Sequence, residues 1–329
     1  MAQFNQFIFD NFSKKPFKPF YNLLVPRATR KQWQFHFDEM PRQEAVAQFW
    51  QQAIMDYEQG KIPKYEMIAK QPELVGQKII WQYWGQGLDD LPEVARLCFA
   101  SVDKFKGDYQ VIRLTDNTFS EYLDLPLFLE KIRQRSDFRP AYYADILRTA
   151  LLVVYGGVWL DASVLMTDKL PKEYTEYGFF VYSRCPNSQM KHWAEHNGHC
   201  YFNWHNDFKV NYLNSIIFTK PNSQLASIVL DLLLYFWQAN KPVTHYFFYQ
   251  ILLNELKVAI PNLFNFPIID DTLPHLLQDV IEQEFNPTYF ENIKQLSTLH
   301  KLSLHGTPKI KVYNSLTYYG FLNTTDDKF

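Results

Sequence analysis

The spacing of apolar and polar positions changes character along the chain. Residues 42–58 predict a helix in which Ala45, Val46, Phe49, Ile54 and Tyr57 spread over a broad face, and Pro63 and Pro72 mark 61–74 as a connecting segment. From residue 78 onward, strand-like and helix-like stretches alternate, the order expected of parallel βα units in an α/β fold. Residues 78–84 read as a buried strand closed by Gly85-Gln86-Gly87, and a helix follows with Pro92 in its first turn and Val94, Leu97, Cys98 and Val102 facing inward. Residues 109–114 form a second predicted strand, stopped by Thr115-Asp116-Asn117. Residues 141–155 form a strongly apolar helix that Gly156-Gly157 terminates, and Val158-Trp159-Leu160 is a short strand leading into Asp161. Further on, 215–218 reads as a strand, and Asn222 or Ser223 caps a helix carrying Leu225, Ile228, Val229, Leu232, Leu233 and Phe236. No internal repeat is visible.

Composition adds an aromatic excess to this pattern. Phe 28, Tyr 21 and Trp 8 make up 17% of 329 residues, more than an apolar core demands, and such rings also suit flat ligands and sugar faces. A formal net charge of −2 excludes the basic excess expected of a nucleic-acid-binding protein. Cys98, Cys185 and Cys200 have no framework spacing and read as free thiols in a reducing cytosol. The longest apolar runs, 151–160 and 228–237, are interrupted by Gly156-Gly157 and by Asp231 and fall short of the ~20 residues that span a bilayer. No secretory signal is visible. Residues 1–31 interleave Lys14, Lys15, Lys18, Arg27, Arg30 and Lys31 with Phe4, Phe7, Phe9, Phe12, Phe17, Phe20 and Tyr21. Either this segment rests on an anionic membrane surface or it is an arm packed on the main domain. The domain reading is accordingly a helical, aromatic-basic extension over 1–75 and a catalytic α/β unit over 76–329.

Candidate chemistry gathers around residues 145–163. Asp145 and Arg148 are three apart on the predicted helix and share a face. They form either a structural ion pair or a carboxylate and a donor fork for the hydroxyls of one ligand. Asp161 lies just past a strand, where open α/β sheets bind ligands, and a carboxylate there can hold Mg²⁺ or Mn²⁺ against a diphosphate. A competing motif is His192-Trp193-Ala194-Glu195-His196, whose H-x-x-E-H spacing fits a zinc peptidase using His192, Glu195 and His196. Asp116 either meets a nucleotide ribose or simply initiates a turn. His245 is either an acceptor-facing group or a satisfied core histidine.

The run 78–87, Pro92-Glu93-Val94 with Cys98 and Ser101, Ala144-Asp145-Ile146-Leu147-Arg148, the stretch 155–163 and His300-Lys301-Leu302 together resemble the capsular polysaccharide synthesis family over about residues 76–305. That family is grouped with the DXD sugar transferases of the glycosyltransferase family 32 type, which are similar to the catalytic domains of glucosylating toxins. The resemblance implies a GT-A (Rossmann-like) fold and a retaining, hexosyltransferase-type transfer from a nucleotide sugar, UDP-sugar favoured, to a capsular or surface oligo- or polysaccharide. It implies that Asp145 and Arg148 bind the donor sugar and that Asp161 is the first acid of the DXD motif. Gln82, Tyr83 and Trp84 would line the nucleotide pocket with Asp116. Lys301 or His300 would help the departing phosphate, and Asp161, Ser163 and His300 would hold Mn²⁺ or Mg²⁺. It places the protein in the bacterial cytoplasm, at the inner face of the membrane. Two positions depart from the pattern: Ala144 stands where the family commonly has Ser, and Ser163 where the motif has its second acid. These departures predict weakened metal binding and favour, as an alternative, a non-catalytic glycan-binding scaffold on a degenerate transferase fold.

Overall fold

Apolar runs bounded by turn residues build the strands, and helices with apolar stripes cover them. The computed structural model describes residues 2–192, 201–239 and 242–324. The chain starts with α1 (Ala2–Phe12), α2 (Lys18–Leu24), α3 (Arg27–Gln34) and α4 (Met40–Glu58), the last two joined through a π-helical turn at Phe35–Glu39. The sheet region follows as β1 (Ile79–Tyr83), α5 (Glu93–Phe105), β2 (Gln110–Leu114), α6 (Phe128–Arg133), α7 (Pro140–Tyr155), β3 (Gly157–Leu160), β4 (Val164–Met166) and β5 (Phe179–Ser183). Then come β6 (Tyr212–Thr219), α8 (Gln224–Gln238), α9 (Phe248–Ala259), α10 (Leu276–Val280), α11 (Pro287–Leu296), β7 (Leu299–Lys301), β8 (Lys311–Val312), β9 (Ser315–Leu316) and α12 (Tyr318–Thr324).

The central sheet is mixed, in the order β2-β1-β3-β6-β5. β1 pairs in parallel with β2 and β3, whereas β6 runs antiparallel to both β3 and β5. The carboxyl ends of β1, β3 and β5 and the amino end of β6 therefore share one rim, where an open α/β sheet presents its ligand site. β4 and β7 pair antiparallel as a separate ribbon, with Val164 opposite Lys301 and Leu165 opposite His300. This ribbon, β5 and the short β8–β9 pair are the strands that the apolar pattern did not reveal.

The turn from α7 into β3 requires glycine twice. Gly156 has φ 72° and Gly157 φ 97°, a region that costs other residues strain. A Cβ on Gly156 would stand 2.6 Å from the Pro221 ring, and one on Gly157 2.6 Å from the Ile79 carbonyl. The tight turn sends the chain directly from the helix carrying Asp145 and Arg148 into the strand that delivers Asp161.

Residues 35–58 share the sheet's core. α4 buries Gln43, Val46, Ala47, Trp50, Ala53 and Ile54, a sharper stripe than the apolar residues alone suggest, because Gln43 belongs to it. Trp50 Nε1 donates to the Phe248 carbonyl over 2.9 Å, and His245 Nε2 meets Glu39 Oε1 at 2.7 Å. His245 is thus a buried, partnered core histidine. Asp231, an acid inside apolar α8, accepts from the Tyr65 backbone N–H at 2.9 Å and from the Tyr57 hydroxyl at 3.2 Å, which ties the connecting segment to the same core.

α1 and α2 leave several large apolar groups outside close together in sequence: Phe4 is 64% exposed, Phe20 65% and Leu23 82%. Lys14, Lys15 and Lys18 are exposed beside them. Among the described residues no helix is long and apolar enough to cross a membrane. Cys98 is buried and Cys185 half-buried, both unpaired, while Cys200 lies outside the described residues.

Candidate active site

Helix periodicity puts Asp145 and Arg148 on one face of α7, and the rim of the sheet brings Asp161 to them. The Arg148 guanidinium bridges the two acids, with Nη2 3.2 Å from Asp145 Oδ1 and 3.3 Å from Asp161 Oδ1. Its other donors go to the Ala144 carbonyl at 3.2 Å and the Asn214 carbonyl. Arg148 therefore fixes the two carboxylates, and planar donors in several directions suit it to that work. Trp159 Nε1 donates to Asp161 Oδ1 over 2.8 Å. The Asp161 side chain remains 25% exposed, against 7% for Asp145.

Asp145, Arg148 and Asp161 line a cavity of about 230 Å³ together with Asn214, Ser215, Tyr246 and Lys301. Asn214 Nδ2 donates to Asp145 Oδ1 at 2.9 Å, and Gln250 Nε2 supports Asn214 Oδ1 at 2.9 Å. Ser215 Oγ is buried with no hydrogen-bond partner, a hydroxyl left for a ligand. Burial pushes the Asp145 carboxyl up to about 7, outweighing the opposing pull of Arg148, and Asp161 raises it further. Burial lowers the Lys301 ammonium, and Asp161 opposes that change. His275, also on the cavity wall, is pushed down to about 3 by burial and is neutral.

Lys301 enters from β7. Its ammonium donates to Ser163 Oγ, while the Leu302 backbone N–H bonds to the Ser163 carbonyl at 2.8 Å. Strand alternation turns the neighbouring His300 the other way. His300 is fully buried, 3.0 Å from Thr167 Oγ1 through Nε2, and burial pushes its pKa down to about 3. The structure thus brings together Asp145, Arg148, Asp161, Ser163 and Lys301 and leaves His300 apart.

The residues expected at the nucleotide divide similarly. Tyr83 OH donates to Asp116 Oδ1 at 2.5 Å, and Arg133 pairs with Asp116 at 2.8 Å while lying 4.0 Å from the Tyr143 ring centre. Asp116, Arg133, Tyr143 and Phe119 border a second cavity, of about 650 Å³. Gln82 is wholly buried and accepts from Arg113 Nε at 3.0 Å, so it belongs to the sheet. Trp84 is half-buried just beyond β1, and its Nε1 is a buried donor with no partner.

Asn214, Ser215 and Gln250 were missed in the sequence. The visible signal was two consecutive polar residues at the head of the apolar run 216–218. Of the H-x-x-E-H motif, His192 is exposed, and Glu195 and His196 lie outside the described residues.

A resident divalent cation is poorly served by the donors present. One Asp161 oxygen already takes Trp159 and Arg148, Ser163 Oγ takes the Lys301 ammonium, and His300 faces Thr167. Among the described residues no group of three His, Cys, Asp or Glu side chains is disposed to hold a metal. These side chains alone do not complete the shell of about six oxygens that a hard cation needs, so phosphate oxygens of a bound diphosphate would have to supply the rest.

Over residues 30–322 the sequence matches the family described as capsular polysaccharide synthesis protein. The chain belongs to that family. The match starts well before the sheet and takes in α4, in keeping with the shared core. The O-glycosyltransferase PaGT of Phomopsis amygdali is 23% identical over 154 residues, 40% of this chain and 38% of that protein. The chain thus spans well under half the length of that curated relative. Among solved structures, the PaToxG glycosyltransferase aligns over 68% of this chain and 80% of its own, at 17% identity and a TM-score of 0.36.

Proposed function

We propose that this family member transfers a sugar from a nucleotide-sugar donor, UDP-sugar favoured, to a surface-polysaccharide acceptor with retained anomeric configuration, on a GT-A-type sheet. The observation that carries the reading is the joining of Asp145, Asp161 and Lys301 around Arg148 in one cavity at the carboxyl rim of the sheet. In this reading the ionised Asp145 accepts hydroxyls of the donor sugar, with Asn214 and Ser215 as further polar contacts. Arg148 is a positioning residue that keeps both acids aimed at the cavity. The anomeric C–O bond breaks toward the diphosphate, whose growing negative charge meets Lys301. The acceptor oxygen attacks on the same face, and its proton passes to the departing phosphate oxygen. Holding both reactants makes the attack effectively unimolecular.

A thermal-shift screen with UDP-glucose, UDP-galactose, UDP-N-acetylglucosamine and GDP-mannose, with and without Mn²⁺, tests the reading. At least one donor is expected to raise the melting temperature, because a ligand present at about 100 times its dissociation constant stabilises by about 2.7 kcal/mol. The same donor is expected to release nucleotide diphosphate slowly in water. A flat response to every donor overturns the proposal. Sugar binding without turnover instead favours the scaffold, a reading supported by Ser163 standing in the second acid's place with Lys301 bonded to it.

The exposed rings of α1 and α2 with their neighbouring lysines support peripheral attachment to an anionic lipid surface. Co-sedimentation with phosphatidylglycerol-containing vesicles is expected for the full chain, with little on pure phosphatidylcholine. Changing Phe4, Phe7, Phe20 and Leu23 together to Ser is expected to abolish it. Equal binding by that variant removes the membrane role.

A further inference from the structure

A third cavity, of about 380 Å³, opens on the same rim as the proposed donor site, and neither the chemistry above nor the motifs account for it. Its walls include the rings of Trp204 and Phe266 and the amides of Asn206, Asn211 and Asn254. A pyranose has apolar C–H faces that lie on aromatic rings and hydroxyls that need donors and acceptors together, which one side-chain amide supplies. Ser183 also lines the cavity: its side chain is buried, yet its Oγ meets no hydrogen-bond partner. A buried hydroxyl without a partner is costly in the free protein and is satisfied by a ligand that reaches it.

The location relative to the donor cavity follows from the topology. Ser183 ends β5 opposite Tyr212, at the start of β6, and β6 then gives Asn214 and Ser215 to the donor cavity. On α9, Gln250 serves the donor cavity and Asn254 this one, a single helical turn away, about 6 Å. Asn211 Nδ2 donates to Asn254 Oδ1 at 2.9 Å, repeating the link between Gln250 and Asn214 one turn earlier. The wall between the cavities is held by Arg184, which pairs with Asp271 at 2.9 Å and donates to the carbonyl of Tyr201, a residue that lines the donor cavity. Trp204 Nε1 donates to the Cys185 carbonyl at 2.8 Å, which orients the ring, and Arg184 lies 4.9 Å from the ring centre.

We infer that this cavity is an acceptor subsite, holding a saccharide unit of the glycan that receives the transferred sugar. The assignment rests on the transferase reading for the word acceptor, whereas its claim to bind a sugar stands independently. The test is a ligand-detected NMR titration of the full chain with the methyl glycosides of glucose, galactose and N-acetylglucosamine. At least one is expected to bind at millimolar concentration. Trp204→Ala is expected to weaken it roughly tenfold, and Trp204→Phe to restore most of the affinity. Ser183→Ala is expected to weaken it about two- to tenfold while the melting temperature holds or rises, since that hydroxyl has no partner to lose and its unpaired burial is relieved. Asp145→Asn is expected to leave glycoside binding intact. Three results each overturn the inference: no glycoside binds; binding is indifferent to both Ser183→Ala and Trp204→Ala; or Asp145→Asn abolishes it, which places the sugar in the donor cavity. A flat nucleotide-sugar screen would remove the transferase reading while leaving this titration to be judged by itself.

Discussion

Asp145→Asn is expected to reduce sugar transfer by at least about 10²-fold while making the protein more heat-stable above neutral pH. The two effects have one cause. Burial holds the Asp145 carboxyl near 7, well above its ordinary 3.8, so the folded protein binds a proton that the unfolded chain has released between those values. With more protons on the folded state, stability falls as pH rises through that window, and above about 7 the fold carries a buried carboxylate at its own expense. The amide is neutral at every pH and keeps the shape. It also leaves Arg148 paired with Asp161 at 3.3 Å, so no buried cation is stranded. The melting temperature of Asp145→Asn should therefore exceed that of the wild type near pH 8, and the gap should close toward about pH 5. Transfer by the wild type should rise as pH passes through about 7, as the carboxylate becomes able to accept sugar hydroxyls. If Asp145 were instead a structural partner for Arg148, the variant would melt lower at every pH. Melting curves at several pH values, paired with assays using the donor that emerges from the screen, separate the two cases.

The portion of this arrangement legible in the sequence is the portion encoded locally. β1, β2, β3 and α7 have compact apolar runs with clear stops, and the three-residue spacing of Asp145 and Arg148 fixes their shared face without tertiary information. Gly156-Gly157 likewise announces the turn that brings Asp161 near. Parity along β7 was less legible. Lys301 and His300 are adjacent, and which one faces the cavity depends on the register of β7 against β4, a pairing between segments more than 130 residues apart. The same holds for Ser183 and Ser215. Their significance lies in having no partner once buried, a property of the packed rim and of no motif. Residues 35–58 show the reverse case: a broad apolar pattern gave no sharp stripe and placed them in an extension over 1–75, whereas Gln43 and Glu39 spend polar side chains on partners in the core, with Gln43 Oε1 accepting from the Lys209 backbone N–H at 2.9 Å.

Lys301→Ala is expected to cost about 10²-fold in transfer, whereas exhaustive chelation of divalent cations should cost less than about tenfold. The contrast follows from how positive charge is distributed around the cavity. The protein supplies the buried Arg148 and the half-buried Lys301, and Arg148 is already committed to Asp145 and Asp161. Lys301 is the cation with capacity to spare, because its main partner, Ser163 Oγ, is neutral. Burial lowers its pKa and Asp161 opposes that change, and a bound diphosphate would add further negative charge beside the ammonium. In a low-dielectric cavity one fixed ammonium stabilises a departing phosphate far more than it would in water. Lys301→Arg keeps the charge and is expected to recover part of the rate, while Lys301→Met keeps the bulk and should not. In the proposed reading Ser163 stands in the place of a second acid, and the variant Ser163→Asp offers a converse arm. It should draw the ammonium into an ion pair, lower chelator-resistant transfer, and make the remaining activity depend on added Mn²⁺. Strict Mn²⁺ dependence of the wild type, together with a mild Lys301→Ala, would show that the nucleotide diphosphate recruits its own cation and that Lys301 serves mainly to hold β7 against Ser163.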